Sequence, residues 1–480
     1  MPDQPAHPTR HLVLVAVLAL GLLALAAGPA LAQPLSCGAV VTQDTTLTSD
    51  LLDCPGNGLV IGADGITVDL NGHTISGQII SGGSPDQVGI ENRGHDDVTI
   101  RNGTVTFFAR GGVLLVGVAR NRVQDLTMDF FDEFSIQLEG GGSANQFTGN
   151  HLARPGTSGI SILGAAAASR DNVIRGNGID AANTADIALR SGRITGTLIE
   201  NNTATGAQAE EQWGAGIVVS DDGNADIRGT VVRNNRLDEN FGGSIFVGGS
   251  AADTLVERNA LDDNFGVAIE SDGDRTLIRR NTITSTLVVA STLFGIQVDA
   301  GAADNRVEAN AIDRPGFIGV DDSGTRTVTT ANLIVGQIYP ATPATGGIAG
   351  IIVREEASDG RIQANVVRRH APGFAEDVGA GIDIFGDRFT VVANVVSEID
   401  LRDGIRVEPQ ARGTLLQANI TTRNGDDGID VESPATTITA NVANDNADLG
   451  IDAVTGVTDG GGNRASGNGN PAQCVGVRCS

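Results

Sequence analysis

The C-terminal third of this sequence contains a recurring set of acidic side chains around one arginine. Pairs of carboxylic acids about 5 Å apart, or about 6.5–9.5 Å apart, cleave glycosidic bonds with retention or inversion of configuration. Acids grouped around an arginine can instead hold Ca²⁺ while the arginine abstracts a proton. The candidate catalytic residues are Asp383, Arg406, Glu408, Asp430, Glu432 and Asp452.

The same residues also have a structural explanation. Exposed strand faces are polar in any case, and an Asp–Arg–Asp series across neighbouring strands is favourable charge pairing. Acidic turns such as 220–224 and 270–274 could bind Ca²⁺, but they match no EF-hand loop and are typical of ordinary solvated turns. Catalysis, Ca²⁺ binding and simple charge pairing are therefore all kept as interpretations.

Short segments with alternating apolar and polar residues must position these side chains. They are rich in Val, Ile and Thr, are bounded by Gly, Asn and Asp, and show no sustained helical period. A Gly-Ile-x-Val motif recurs among them, for example at 381–384, 404–407 and 428–431. Alternation turns Ile and Val inward and the residue between them outward.

The outward positions form two columns along such a series of strands. We expect the first column to be uncharged over most of its length and acidic only at Asp383, Asp430 and Asp452, around Arg406. Its uncharged members are Leu114, Ser161, Ala188, Val218, Ala268 and Gly319. The second column is expected to contain Glu270, Asp299, Asp321, Glu408 and Glu432.

An asparagine recurs at many intervals of 22 to 25 residues and marks a repeat of that length. A fixed period in this range indicates a solenoid, in which each repeat buries its apolar face only against its neighbours. We therefore predict an all-β, single-stranded, right-handed parallel β-helix of about fourteen coils, spaced by about 4.8 Å. The inward asparagines are interpreted as a structural ladder: Asn102, Asn150, Asn177, Asn202, Asn259, Asn281, Asn310, Asn365, Asn394, Asn419 and Asn441.

The N-terminal segment and the net charge indicate an exported protein. Residues 1–32 have a basic start, an apolar run over 12–27 and an Ala-Leu-Ala end, which predicts a secretory signal peptide cleaved after Ala32. No later segment approaches the roughly 20 apolar residues of a membrane span. The net charge is −26 and every basic residue other than His is Arg. Such a surface repels nucleic acid, which we exclude as a partner.

Four cysteines follow the predicted signal peptide, and four cysteines allow three pairings. If the two close pairs lie at opposite ends of a solenoid, only Cys37–Cys54 and Cys474–Cys479 come within bonding distance. We expect one disulfide in an N-terminal cap over 33–61 and one in a C-terminal cap over 455–480. The β-helix itself is expected over 62–454.

Two sequence segments and the repeats between them resemble a known superfamily. They are Thr-Val-Asp-Leu-Asn-Gly-His-Thr-Ile at 67–75 and Gly-Asn-Gly-Asn-Pro at 467–471. Over residues 36–480 the chain resembles bacterial exported β-helix proteins of the pectin-lyase-like superfamily. This resemblance implies the fold. It leaves the activity open, because the superfamily includes lyases, hydrolases, epimerases and proteins without known chemistry.

Several signatures of the superfamily's enzymes are nevertheless missing. Gly-His-Gly and Asp-Pro-His do not occur, and Arg-x-Lys is excluded in a chain without Lys. The repeats also resemble periplasmic copper-site maturation proteins. A copper role would require clusters of His or Met, whereas Met128 is the only methionine after the initiator.

Two functions are therefore expected. In the first, the protein is exported and binds or processes a polysaccharide by lyase or glycoside hydrolase chemistry, with Ca²⁺ as a possible cofactor. In the second, it is a non-catalytic surface or matrix protein that presents binding faces. The scarcity of aromatic residues, which stack on sugar rings, favours the second function.

Overall fold

The computed structural model describes residues 35–78, 86–164, 167–208, 214–220, 223–284, 292–336, 349–370 and 379–480. The predicted signal peptide and the acidic pair Asp221–Asp222 lie outside these residues. Within them the secondary structure is all β, and every paired strand runs parallel to its neighbours. The described part has no helix long and apolar enough to span a membrane.

Each coil contributes one strand to each of three faces, numbered in the order in which the chain passes through them. Face 1 consists of Ala39–Val41, Leu59–Ile61, Val88–Arg93, Gly111–Ala119, Phe134–Ser143, Ser158–Leu163, Ala185–Arg190, Ile217–Val219, Ile245–Val247, Gly266–Ser271, Thr292–Val298, Ile318–Asp322, Ala349–Val353, Ile382–Ile384, Ile405–Val407, Ile429–Val431 and Ile451–Ala453. Four short strands follow face 1 in some coils: Ser169–Arg170, Arg193–Thr195, Asp226–Arg228 and Ala251–Ala252.

Faces 2 and 3 are separated by one tight turn, and two long strands, Thr99–Phe108 and Arg122–Phe131, pass through both. The other strands of face 2 are Thr45–Thr46, Thr67–Asp69, Gln146–Thr148, Val173–Arg175, Leu198–Glu200, Val231–Arg233, Leu255–Glu257, Leu277–Arg279, Arg306–Glu308, Val328–Thr330, Arg361–Gln363, Thr390–Val392, Leu415–Gln417, Thr437–Thr439 and Thr458–Gly461. Those of face 3 are Leu51–Cys54, Thr74–Gly77, His151–Ala153, Gly178–Asp180, Thr203–Thr205, Arg236–Asp238, Ala260–Asp262, Thr282–Thr284, Ala311–Asp313, Leu333–Val335, Val366–His370, Val395–Ile399, Ile420–Thr422, Val442–Asn444 and Arg464–Ser466.

The apolar residue of each alternating segment points into a continuous core. Ile382, Ile405, Ile429 and Ile451 pair in register on face 1 and are all fully buried. Burying such a side chain stabilises the fold by about 1.5–3 kcal/mol. This register fixes which residues of the same strands face outward.

Turns between the faces use left-handed backbone conformations. One coil shows the pattern, with Asp253, Arg258 and Asp263 at φ 57°, 54° and 50°. Each of these residues begins a turn after a short strand, where the left-handed conformation reverses the pleat. Because Asn, Asp and Gly tolerate this conformation best, they bound the strands in the sequence.

The predicted asparagine ladder is present at the turn between faces 2 and 3 from Asn150 onward, but the prediction was wrong for Asn102, which is exposed and donates to Asp69 at 3.0 Å. Thirteen buried asparagines from Asn150 to Asn463 are joined without interruption, each donating its amide N–H to the Oδ1 of the next at 3.0–3.2 Å. Each amide also donates to a backbone carbonyl, as Asn202 does to Ile174 at 3.0 Å. The ladder therefore satisfies polar groups inside the coil stack.

Each face has seventeen strands in the described residues, so the stack comprises about sixteen turns, where about fourteen coils were predicted. The count is higher because the segments expected to be caps also contain strands in register. Ala39–Val41 pairs with Leu59–Ile61 at one end, and Arg464–Ser466 pairs with Val442–Asn444 at the other. Both predicted disulfides, Cys37–Cys54 and Cys474–Cys479, are formed. Disulfides in both terminal coils are consistent with an exported protein.

Candidate functional site

Four of the predicted site residues lie side by side on the outer surface of face 1. The strand register pairs Asp383 with Arg406, Arg406 with Asp430, and Asp430 with Asp452. Neighbouring members are therefore separated by one coil, or about 4.8 Å along the stack. Their side chains project outward because the flanking Ile and Val residues fill the core.

Arg406 is the centre of an ion-pair network in this column. Its guanidinium lies 3.2 Å from a carboxylate oxygen of Glu408 and 3.7 Å from one of Asp430, and it also contacts Glu432. Less than a quarter of the Arg406 side chain is exposed. The second-column residues Glu408 and Glu432 thus hold the arginine between Asp383 and Asp430.

Asp383 differs from the other acids in this region because it is almost completely buried. Its residue surface is 1% exposed, and neither carboxylate oxygen has a hydrogen-bond partner among the residues that the structure describes. Burial, and then repulsion from Glu408, raise the pKa of Asp383 to about 8, although Arg406 acts in the opposite direction. Asp383 is therefore a protonated acid at neutral pH.

Asp430 titrates nearer to neutrality and is partly open to solvent. Burial raises its pKa to about 6, and Arg406 opposes that rise. About a fifth of its side chain is exposed. A group with these properties is ionised at pH 7 and accessible to a solute.

Further carboxylates lie at the turn that leads into the same strands. The backbone N–H of Asp427 donates to Asp403 at 3.0 Å, and that of Leu449 donates to Asp427 at 2.6 Å. Burial raises the pKa of both Asp403 and Asp427 to about 7. Oxygen atoms within 4.8 Å of one another define two triads that share Asp427, namely Asp403–Asp426–Asp427 and Asp427–Asp430–Asp452.

The sequence-based assignment of the two outward columns was wrong at two coils. Glu270 pairs with Phe246, and Asp321 pairs with Gln297, so both acids belong to the first column. Ala268 and Gly319, which had been assigned to the first column, point toward the interior instead. Ala268 is part of the core, and a Cβ added at Gly319 would lie 2.5 Å from a backbone oxygen. A shift of two residues preserves the alternation, so the pattern alone does not reveal it.

With this register, a second group of acidic residues lies on face 1, in coils nearer to the N-terminus. Glu270, Asp272 and Asp299 have carboxylate oxygens within 4.8 Å of one another. Burial, and then the interaction with Asp299, raise the pKa of Glu270 to about 7 and the pKa of Asp272 to about 8. Asp321 is bound by Arg354 through two hydrogen bonds of 2.7 and 2.8 Å.

Sequence reasoning missed a set of exposed aromatic side chains. Phe107, Phe130 and Phe241 are each more than one third exposed. Phe107 and Phe130 lie near the ends of the long strands Thr99–Phe108 and Arg122–Phe131, and Phe241 lies just after the face 3 strand Arg236–Asp238. Alternation no longer indicates there which side chains are buried, because Phe107 and Phe130 have left-handed φ angles of 59° and 60°. The low aromatic content had favoured a surface without such residues.

Comparison with known proteins shows the family. The model of the family described as "Right handed beta helix region" matches residues 48–204 and 186–358. A search of curated protein sequences gave no match.

Several solved structures are similar at low sequence identity. A DFA-IIIase from Arthrobacter chlorophenolicus A6 in complex with GF2 aligns over 57% of this chain and 70% of its own, with 14% identity and a TM-score of 0.43. A mutant of a periplasmic alginate epimerase aligns over 70% and 77%, with 12% identity and a TM-score of 0.45. A mutant tailspike protein of E. coli bacteriophage HK620, in complex with a pentasaccharide, aligns over 92% and 73%, with 13% identity and a TM-score of 0.42.

The parallel pairing of the strands and the family match over most of the coil stack agree with each other. The chain belongs to the right-handed β-helix family.

Proposed function

We propose that this protein hydrolyses glycosidic bonds in a polysaccharide, with the column formed by Asp383, Arg406 and Asp430 as its acid–base site. The observation that carries the proposal is the contrast between two acids of one column. Asp383, with a pKa of about 8, holds a proton at neutral pH, whereas Asp430, with a pKa of about 6, has lost its proton. Two carboxyl groups whose environments separate their pKa values are suited to opposite roles in catalysis.

The spacing of these two acids supports an inverting mechanism. They lie two coils apart, which corresponds to roughly 9.6 Å at about 4.8 Å per coil. This is close to the range of about 6.5–9.5 Å that leaves room for a water molecule. In the proposed reaction Asp383 protonates the leaving oxygen, and Asp430 accepts a proton from the attacking water.

Arg406 lies between the acid and the base and has a positioning role. Its contacts with Glu408 and Glu432 hold the guanidinium in place. Burial is the largest cause that raises the pKa of Asp383 and of Asp430, and the positive charge of Arg406 opposes it at both residues. This charge also reduces the repulsion among the surrounding carboxylates.

The charge of the site favours a neutral glycan. A uronate chain would meet many carboxylates, and the protein as a whole has a net charge of −26. An acidic glycan would require a cation such as Ca²⁺, for which the Asp427–Asp430–Asp452 triad offers the oxygen ligands that Ca²⁺ prefers. Burial is the largest cause that raises the pKa of Asp427 and Asp430, and Ca²⁺ bound there would relieve the repulsion from neighbouring carboxylates that adds to it.

The test is an incubation of the protein with a panel of neutral and uronic-acid polysaccharides, with and without Ca²⁺. New reducing ends are expected, and unsaturated products are not. Asp383→Asn and Asp430→Asn should each lower the rate about 100-fold or more, in line with the usual contribution of general acid–base catalysis. Asp359→Asn, which removes an exposed ion pair with Arg388, is the control and should leave the rate unchanged.

The result that would overturn the hydrolase proposal is the absence of turnover on every polysaccharide. Unsaturated products that form only with Ca²⁺ would instead indicate lyase chemistry at the same column. Unchanged turnover in Asp383→Asn and Asp430→Asn would place any activity elsewhere on the molecule.

A non-catalytic surface or matrix protein is the second candidate. It is favoured by the burial of Asp383 and by the sharing of Arg406 among three carboxylates. In this case the column is a charge network that holds neighbouring coils together. Binding of a polysaccharide without any turnover would support this function.

A further inference from the structure

Two phenylalanines are stacked on the turn between face 3 and face 1, near the middle of the coil series. The ring centroids of Phe241 and Phe265 lie 4.5 Å apart, and the ring planes differ by 9°. This separation is close to the spacing of about 4.8 Å between coils, so the rings are stacked along the axis of the β-helix. Phe241 is 47% exposed, although an exposed apolar ring contributes little to the core.

Among the described residues, the stack of rings ends at Phe241. Backbone hydrogen bonds align Gln208, Phe241 and Phe265 in three successive coils, because their N–H groups donate to the carbonyls of Ala182, Ala207 and Asn240. The coil before Phe241 therefore places an amide where a third ring would stand. One face of the Phe241 ring is directed toward this position.

A cavity of about 670 Å³ lies beside that ring face. It is lined by Ala181, Gly206, Gln208, Glu239, Phe241 and Phe265. The residues at the bottom of the cavity, Ala181 and Gly206, have small side chains or none. In the two preceding coils the equivalent position is occupied by Phe130 and Arg154. The small side chains thus open a depression between larger neighbours.

We propose that this cavity binds a neutral hexose unit of a glycan, with the sugar ring stacked against Phe241. The volume lies within the range of about 300–1,000 Å³ that is usual for small-molecule sites. A pyranose ring has an apolar C–H face that fits an aromatic ring and a rim of hydroxyl groups that needs hydrogen-bond partners. The Gln208 amide both donates and accepts, and the Glu239 carboxylate accepts.

The charges around the cavity argue against an anionic ligand. Glu239 is the one ionisable residue among the described residues that line it. The net charge of −26 adds a long-range repulsion for anions. A neutral sugar satisfies the polar rim without bringing a second negative charge next to Glu239.

This inference concerns a binding site, and it does not depend on hydrolysis at Asp383 and Asp430. The cavity lies at the turn before face 1, in the coils that contain Gly206 and Phe241, whereas the acidic column begins at Asp383. A hexose bound here would anchor a glycan at a distance from the acids. Its binding is therefore measurable in a protein that lacks activity.

The test is a calorimetric titration of the full-length protein with maltohexaose, cellohexaose, mannohexaose and a galacturonate hexamer. At least one neutral hexasaccharide is expected to bind, and the galacturonate hexamer is not. Phe241→Ala should weaken binding about tenfold or more, as expected for an aromatic anchor. Phe241→Tyr, which keeps the ring, should stay within about threefold, and Gln208→Ala should weaken binding less than Phe241→Ala does.

Phe130→Ala is the matched control. Phe130 is also exposed and stacked, with its centroid 5.0 Å from that of Phe107, but it does not line the cavity. Circular dichroism of each variant checks folding, and Phe241→Tyr together with Gln208→Ala keeps the test decisive if Phe241→Ala fails to fold.

The proposal is overturned if no neutral hexasaccharide binds, if the galacturonate hexamer binds more tightly, or if Phe130→Ala and Phe241→Ala weaken binding equally. Asp383→Asn should bind the hexasaccharide as the wild type does. Normal binding without hydrolysis would refute only the acid–base proposal, and hydrolysis with unchanged binding in Phe241→Ala would refute only the cavity.

Discussion

At the scale of the residue, two aspartates show how environment determines the role of a carboxyl group. Asp383 is 1% exposed and has no hydrogen-bond partner among the described residues, and its burial raises its pKa to about 8. Asp359 lies on an exposed turn, where hydrogen bonds from Arg388 at 2.6 and 2.8 Å lower its pKa. The first group resists ionisation, whereas the second is stabilised as an anion.

The pKa of Asp383 predicts a specific dependence of stability on pH. Because its pKa is about 8 in the folded state and about 3.9 in the unfolded state, the folded state binds the extra proton between these values. Stability is therefore lost as the pH rises from about 4 to about 8. Asp383→Asn should raise the free energy of unfolding at pH 8 by roughly 1–3 kcal/mol, the usual cost of an unsatisfied buried group, and much less at pH 4.

Guanidinium-induced unfolding at both pH values measures this effect. Asp359→Asn is the control, and its effect on stability should have the opposite sign. This variant should be less stable than the wild type above about pH 4, and its stability should differ little from the wild type below that pH. Equal effects of Asp383→Asn at pH 4 and pH 8 would contradict the assigned environment of Asp383.

The sequence predicted which side chains of the acidic column point outward, because alternation around Ile382, Ile405 and Ile429 is unambiguous. It did not predict that Asp383 is buried while Asp430 is partly exposed. That difference depends on neighbours which the strand pattern does not specify. The column positions of Glu270 and Asp321 were also missed, since a two-residue shift leaves the pattern unchanged.

At the scale of the element, the asparagine ladder fixes the register of successive coils. Each amide bonds to the next asparagine and to a backbone carbonyl, so the loss of one leaves partners on both sides unsatisfied. The residue that precedes Asn202 in the chain is also an asparagine, but it lies outside the ladder. Asn202 is in the ladder and buried, whereas Asn201 is exposed in a left-handed conformation.

This pair of adjacent asparagines allows a matched test of the ladder. Asn202→Ala should lower the free energy of unfolding by about 1–3 kcal/mol, because buried polar groups lose their partners. Asn201→Ala should change it by less than about 0.5 kcal/mol, since alanine occupies the equivalent turn position at Ala309, Ala331 and Ala364. Urea unfolding of both variants makes the comparison, and equal losses would count against a structural role of the ladder.

At the scale of the whole molecule, the protein is a stack in which each coil contacts mainly its neighbours. Within the described residues, the first and last coils have a neighbouring coil on one side only, and each of these coils carries a disulfide. The repeat period and the alternation were sufficient to predict this architecture. The coil number was underestimated because the terminal strands, such as Ala39–Val41, are short and lack the ladder asparagine.

The stack predicts that disulfide loss has local consequences. Replacing Cys37 and Cys54 by Ser removes a cross-link over 17 residues and should destabilise the first coil by about 3 kcal/mol. Amide hydrogen exchange followed by mass spectrometry should show faster exchange near residues 39–54 and unchanged exchange in the central coils. Faster exchange throughout the chain would contradict the nearest-neighbour description.

The central claim is that Asp383 and Asp430 act as acid and base in one site, and a pH–rate profile tests it most directly. On a polysaccharide that the protein cleaves, kcat/KM should rise through about pH 6 as Asp430 loses its proton and fall through about pH 8 as Asp383 does. The alkaline limb should disappear from the residual activity of Asp383→Asn. A profile without limbs near these values, or an alkaline limb that persists in Asp383→Asn, would contradict the account.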